Sequence, residues 1–345
     1  MHMADALISP TVGATMWAAT AGLIAYSAKK VKEEADDRKV PLMGVLGAFI
    51  FASQMLNFSI PGTGSSGHLG GGMILAILLG PYAAFLVMAS VLIVQALFFA
   101  DGGLLALGCN IFNLGFFPCF VAFPFIYKKI AGVNPKQKRI MPGAIIAGII
   151  GLQLGAFGVV LETVFSGISE LPFRTFVLLM QPIHLAIGIV EGLVTAAVVI
   201  FVWKARPEIL EASCQAEPIG SFNINKVLLG LLVVAVIAGG VLSWFASANP
   251  DGLEWSMFKT SGKEELESGD GVHAFTALIQ EKTAFLPDYG FKKNQLAIEP
   301  EENASQPWPA IDPGTSVSGL VGGALTLAMV FLIGLSLKRR KAAVS

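Results

Sequence analysis

Residues 82–100, YAAFLVMASVLIVQALFFA, run the length of a membrane helix without a single charged side chain. About 20 helical residues cross the hydrocarbon core of a bilayer, so this stretch predicts a transmembrane helix. Working outward, apolar stretches of comparable kind recur at 11–28, 40–60, 105–127, 142–166, 174–203, 226–247 and 317–337. The whole chain is 54% hydrophobic and 14% charged, where a soluble globular chain carries about 25% charged residues. That surplus of apolar surface needs a lipid solvent, and the sequence predicts an all-α polytopic membrane helix bundle. A shorter apolar run at 67–79 is close to the ~10–14 residues of a buried or re-entrant segment.

Charge decides how that short run is counted. Basic residues cluster at Lys29, Lys30, Lys32, Arg38 and Lys39, at Lys128, Lys129, Lys136, Lys138 and Arg139, at Lys204 and Arg206, and from Lys338 to Lys341. The positive-inside rule puts all four clusters in the cytoplasm. The first two share a side only if an even number of crossings separates them, so 67–79 is expected to cross as a packed half-length helix. The count is then about nine transmembrane helices, a seven-helix core and a C-terminal pair. The N-terminus, the loops around His68 and Asp101, and the segment 248–316 fall outside. Met1 to Ala28 has no Lys or Arg before its apolar run, unlike a secretory signal, so the first helix is expected to stay attached. Met1 is expected to survive as well, because trimming of the initiator favours a small second residue and His2 is large.

Cys109, Cys119 and Cys214 lack CxxC spacing and read as small packing residues. A net charge of −1 with a basic inner face reflects topology and implies no nucleic-acid partner. The segment 248–316 is polar, acidic and punctuated by prolines. It reads as an extracytoplasmic module or ordered loop, either concentrating divalent cations electrostatically or serving as a solvated connector.

The chain has four histidines, His2, His68, His184 and His273, and the topology puts His2 and His68 together outside. The Met1 amine, the His2 amide nitrogen and the His2 ring Nδ1 can close fused five- and six-membered rings around one ion. A nitrogen from His68 would complete a planar set of four, an arrangement that favours Ni(II) or Cu(II), while zinc prefers a tetrahedron and Co(II) accepts the same nitrogens. A histidine after the initiator can equally be an accident, and a loop histidine a hydrogen-bonding residue. The glycines of PGTGSSGHLGGG, residues 61–72, permit close backbone approach around His68. Gly62 to Gly67 has the GxxxxG spacing of a phosphate loop, but His68 and Leu69 stand where Lys and Ser/Thr are needed, which excludes nucleotide binding.

Polar residues in the spans are Gln54, Asn57, Gln95, Asn110, Asn113, Gln153, Glu162, His184 and Glu191. Such residues face the bundle interior, mostly as interhelical hydrogen-bond glue. His184 and Glu191 are seven apart on one helix face. Asp5, Asn110, Asn113, His184 and Glu191 are candidates for holding the ligand residues in place.

Several stretches occur together in one order: MHMADALISP (1–10), GSSGHLGGG (64–72), AILLGPYAAFLVMASVLIVQALFFADGGLLALGCNIFNLG (76–115) and QPIHLAIGIVEGLVTA (181–196). Over about 1–205 the chain resembles the CbiM/NikM family, the substrate-capture components of energy-coupling-factor nickel and cobalt transporters. The resemblance implies metal ligation by Met1, His2 and His68. It departs at Met3, Ala4 and Ala6, where the family commonly reads differently, while His2 and Asp5 remain. NPDGLEW (249–255), PDYGF (287–291) and GTSVSGLVGG (314–323) resemble the two-helix PDGLE or NikN/CbiN-type accessory component, so the chain looks like a fusion. The expected division is a metal-binding core at 1–205, a cytoplasmic linker at 206–225 and an accessory module at 226–340.

The resemblance implies a multi-pass protein of the prokaryotic inner membrane that captures Ni²⁺ or Co²⁺ as cargo, with no resident cofactor. No ATPase signature occurs in the chain, so a transmembrane coupling subunit and cytoplasmic ATPases are the expected partners. Nickel is preferred because of the PDGLE-type tail. The alternatives are cobalt uptake for cobalamin synthesis, and a proton-coupled secondary carrier working through Glu162, His184 and Glu191. A zinc enzyme or sensor is disfavoured, since no HExxH motif is present.

Overall fold

A computed structural model describes residues 2–34, 36, 38–169, 171–262, 269, 271–292 and 308–342, the last five without their side chains. Among them the chain is almost wholly helical. The helices are α1 (Pro10–Glu34), α2 (Lys39–Gln54), α3 (Gly72–Leu79), α4 (Pro81–Phe99), α5 (Leu107–Ala131), α6 (Gln137–Ser166), α7 (Phe173–Ala205), α8 (Pro207–Gln215), α9 (Asn225–Gly240), α10 (Gly252–Ser261), α11 (Val272–Thr283) and α12 (Pro313–Ala342). A two-stranded antiparallel hairpin, β1 (Phe58–Ile60) and β2 (Ser65–Gly67), pairs Ser59 with Ser66.

Five of these helices, α4 to α7 and α12 up to Leu337, are long and apolar enough to cross a membrane, and α2 and α9 are shorter apolar helices. The protein is a multi-pass membrane helix bundle. Middle α5 widens into a π-type helix over Phe112–Tyr127, which contains Pro118 and Pro124. Proline removes a backbone donor and disturbs the regular ladder, and the wider turn accommodates that.

Three expected boundaries shift. The second apolar stretch stops being helical at Gln54, because the chain turns there into the hairpin. The run at 67–79 is helical only from Gly72, where Gly71 takes a positive φ of 78°. The α9 helix ends at Gly240 and tightens into a 3₁₀ turn at Leu242–Phe245. The linker at 206–225 holds α8, which buries Ile209, Leu210 and Cys214 and joins Ser213 Oγ to the Ala76 carbonyl of α3. Cys109, Cys119 and Cys214 are all buried free thiols.

Small residues let the helices approach. Gly188 and Gly192 on α7 abut the backbone of Ile149 and Ile145 on α6, a GxxxG contact of the kind that drives helix association in lipid. Gly319 on α12 meets Gly239 on α9, and a Cβ on Gly322 would collide with Phe51 on α2. The C-terminal pair α9 and α12 is thereby packed against α2.

The connecting segments gather at two ends. At the basic end Arg38 donates to the Phe222 carbonyl, Asp36 accepts from Ile219 N, and Arg206 donates to the Asn223 carbonyl. The other end carries His2, the β-hairpin, the 100–106 turn and helices α10 and α11. Because α3 has eight residues, about 12 Å at 1.5 Å per residue, it covers less than half of a ~30 Å hydrocarbon layer. The glycine segment ahead of α3 is not helical, and it carries His68, whose side chain is 9% exposed.

Candidate metal centre

The N-terminal segment enters the bundle as extended backbone and is gripped at Met3 and Asp5. Asn110 at the start of α5 pairs with Met3 twice, accepting from its N–H at 2.8 Å and donating to its carbonyl at 3.2 Å. Gly103 N also donates to the Met3 carbonyl, 2.9 Å. Asp5 then begins a 3₁₀ turn, with one oxygen accepting from Ala106 N at 3.0 Å and the other from Thr276 Oγ1 at 2.6 Å. A Cβ on Gly103 would lie 1.9 Å from Asp5 Oδ1, so only glycine fits there.

Held this way, the His2 ring stacks on the His68 ring with centroids 5.1 Å apart and planes 8° from parallel. Two histidines far apart in sequence thus meet in one buried place. His2 Nδ1 is 3.3 Å from Asp101 Oδ1, and Asp101 in turn accepts a hydrogen bond from the Tyr289 hydroxyl. The Leu69 carbonyl lies 3.1 Å from His68 Nδ1, which fixes the ring proton there and leaves the lone pair on Nε2. Burial holds both imidazoles down at about 3, so both are neutral donors at physiological pH. Burial also raises the Asp101 carboxyl above its ordinary range. The proposed ligand Met1 lies outside the described residues.

The loop that carries His68 is fastened from below. Glu191 on α7 accepts from Gly70 N at 2.9 Å and Gly71 N at 3.1 Å. Gln54 on α2 donates to the Gly70 carbonyl, and Gln95 on α4 donates to Gln54. His184, one face with Glu191, lines a small cavity with His68 and bonds Nδ1 to the Met180 carbonyl at 2.8 Å. Asn113 is turned elsewhere, donating to Glu162 at 2.6 Å. Asp5 and Asn110 therefore hold the N-terminal segment, Glu191 holds the His68 loop, and Asn113 belongs to a separate interhelical pair.

Sequence reasoning missed the contribution of the C-terminal module. Ser66 N donates to the Pro250 carbonyl at 2.8 Å and Ser66 Oγ to the Asn249 carbonyl, so the PDGLE stretch runs beside β2. Asp251 caps α10 with one oxygen, in a capping box with Glu254, and its other oxygen is 3.9 Å from His68 Nε2. His273 bonds the Ile8 carbonyl, and Gln280 donates to the Ala96 and Gly102 carbonyls, so α11 lies across the N-terminal segment. The D-x-x-E spacing of Asp251 and Glu254 was a readable helix-start signal; what it would touch was not. Among the described residues no three His, Cys, Asp or Glu side chains stand close enough to hold an ion together.

Two family models and several known proteins match the chain. Residues 2–209 match the family described as "Cobalt uptake substrate-specific transmembrane region", CbiM, and 225–339 match the PDGLE domain. The chain is 31% identical to the "Putative fused nickel transport protein NikMN" of Archaeoglobus fulgidus, over 96% of this chain and 98% of that one. It is 28% identical to the "Cobalt transport protein CbiM" of Geobacter sulfurreducens, over 61% of each. A solved structure titled "Crystal Structure of an Truncated Transition metal Transporter" superposes with a TM-score of 0.53 at 32% identity, covering 59% of this chain and 99% of that one. Fold and relatives together define a multi-pass membrane component of nickel or cobalt transport. The chain belongs to the CbiM family and carries a PDGLE domain behind the family core.

Proposed function

We propose that the chain is the substrate-capture subunit of an ATP-driven energy-coupling-factor importer, taking up nickel in preference to cobalt. The supporting observation is the convergence of His2 and His68 as two buried neutral imidazoles in a bundle of this family. In this reading the ion is held by the Met1 amine, the His2 amide nitrogen and ring, and His68 Nε2. The end of the bundle that carries this site faces outward, and the basic end receives the coupling subunit and the ATPases. The core at 1–205 does the binding, and the module at 226–340 covers it. Nickel is preferred because the fused relative that spans nearly the whole chain is named for nickel transport.

Both rings stay neutral above about pH 3, so they release no protons on binding. The amine, with an ordinary value near 8, and the amide must each lose one. Affinity should therefore rise by up to about two decades per pH unit below pH 8. Adding one residue before Met1 keeps both histidines but takes the amine out of ring-closing register. Titration of purified protein with nickel and cobalt should show tight binding for the native chain and its loss in the extended one. Equal affinity in the two would reject the chelate.

A further inference from the structure

The cavity beside His68 offers a nitrogen that the capture reading does not use. His68, Leu152, His184, Asp251 and Gly252 are among its lining residues, and His2 is not. It lies past His68 from the stacked His2 ring, and Leu152 near the middle of α6 places it in the bundle interior. Its free volume is about 10 Å³, which is room for roughly one water-sized occupant.

His184 presents one nitrogen to this space. The Met180 carbonyl one turn back on α7 holds Nδ1 at 2.8 Å, and because a carbonyl can only accept, Nδ1 carries the ring proton. Nε2 is then left with its lone pair. His184 is 1% exposed, and Nε2 has no hydrogen-bond partner. A buried polar atom left this way is costly, and the interior polar residues of membrane proteins tend to mark ion pathways. The ring is walled by Gly252, where a Cβ would come within 3.2 Å of His184 Cε1. The same turn brings Asp251 to the cavity wall, with one carboxylate oxygen 3.9 Å from His68 Nε2.

We propose that His184 Nε2 and the Asp251 carboxylate form a second, weaker position for a divalent transition-metal ion, one step inward from the capture site. The inference rests on the capture reading. An imidazole nitrogen and a carboxylate oxygen suit nickel, cobalt and zinc, and a cavity sized for about one water admits the ion but not a full set of waters, which leaves the position weak. With two protein ligands in place of four, the ion is held loosely, as a station on a path must hold it. His68, which borders both places, passes the ion on by exchanging one nitrogen neighbour for another. No bond other than coordination is made or broken, and no proton moves at His184.

The test uses full-length protein labelled with ¹⁵N at histidine, in nanodiscs, carrying one added residue before Met1 so that the tight chelate is disabled. Zinc(II) is the probe, because a diamagnetic ion causes no paramagnetic shift or broadening and gives its largest ¹⁵N shift at the nitrogen it binds. Only four histidines resonate, and His273, bonded to the Ile8 carbonyl, reports that the fold is intact. Zinc should shift the His184 Nε2 resonance saturably with one equivalent. Asp251→Asn should weaken that binding by at least about tenfold, and His184→Gln should abolish it. A His184 resonance that stays fixed while His68 responds would overturn the proposal and make Nε2 a water acceptor. Failure of the capture reading would show separately, as an unextended chain whose His2 and His68 resonances ignore nickel.

Discussion

Asn110 accepts from the Met3 N–H and donates to the Met3 carbonyl, so one side chain performs the pairing that a neighbouring strand would perform. Asn110→Ala should leave the buried Met3 N–H unpaired at a cost of about 1–3 kcal/mol. It should also weaken nickel binding by about 10–100-fold, because the His2 donor would lose its fixed position. Calorimetric titration of the purified variant checks the affinity, and denaturant unfolding checks the stability. Protonation gives a second residue-scale expectation. His2 and His68 sit near 3 in the folded protein against an ordinary 6.5. The unfolded chain takes up protons below 6.5 and the folded one does not, so stability is level above pH 6.5 and falls as pH drops toward 3. Denaturant unfolding at pH 7.5, 6 and 5 should show the loss, and a His2→Gln, His68→Gln double variant should flatten it. The two histidines were legible in the sequence because chain topology and chelate-ring chemistry need only local information. Asp101 and Tyr289 were not, since nothing in either local stretch records that they meet.

At the scale of elements, the start of α10 does two jobs. Asp251 and Glu254 make the capping box, while Gly252 lets the helix touch α7 at Ile183, His184 and Ile187. Gly252→Val should drive α10 away from α7 and expose the His68 loop. Faster amide exchange at 65–71 would register this, with the rest of the bundle unchanged. Glu191 is the corresponding anchor on the opposite side of that loop. Glu191→Gln keeps its shape but places an amide where Gly70 and Gly71 need an acceptor on each oxygen. Nickel affinity should fall by about tenfold with little change in overall stability. Long apolar helices were legible from composition and length alone. The shortness of the 67–79 helix was legible too, from the length of the run, but its start at Gly72 was not, because nothing in the run marks where Gly71 reverses the backbone.

Across the whole molecule, the core and the C-terminal module meet along one continuous seam. Helices α9 and α12 pack on α2, and the segments between them reach Ser66, Asp5, Ile8, Asp101 and Gly102. Producing 1–215 and 225–345 as separate chains in one cell should return a complex that co-purifies. The 1–215 half alone should bind nickel at least about tenfold more weakly, its cover gone. The sequence announced two modules through their separate resemblances, but it recorded no register between them. That register depends on surfaces far apart in the chain, and physical complementarity alone sets it.

The connection through 206–224 changes what governs the cover's return. A short tether turns docking into an intramolecular event at an effective concentration on the order of millimolar. Once lifted, the PDGLE turn meets its own Ser66 edge before it can meet another molecule's. A cover that lifted would therefore re-dock on its own copy, at a rate indifferent to how many other copies the membrane holds.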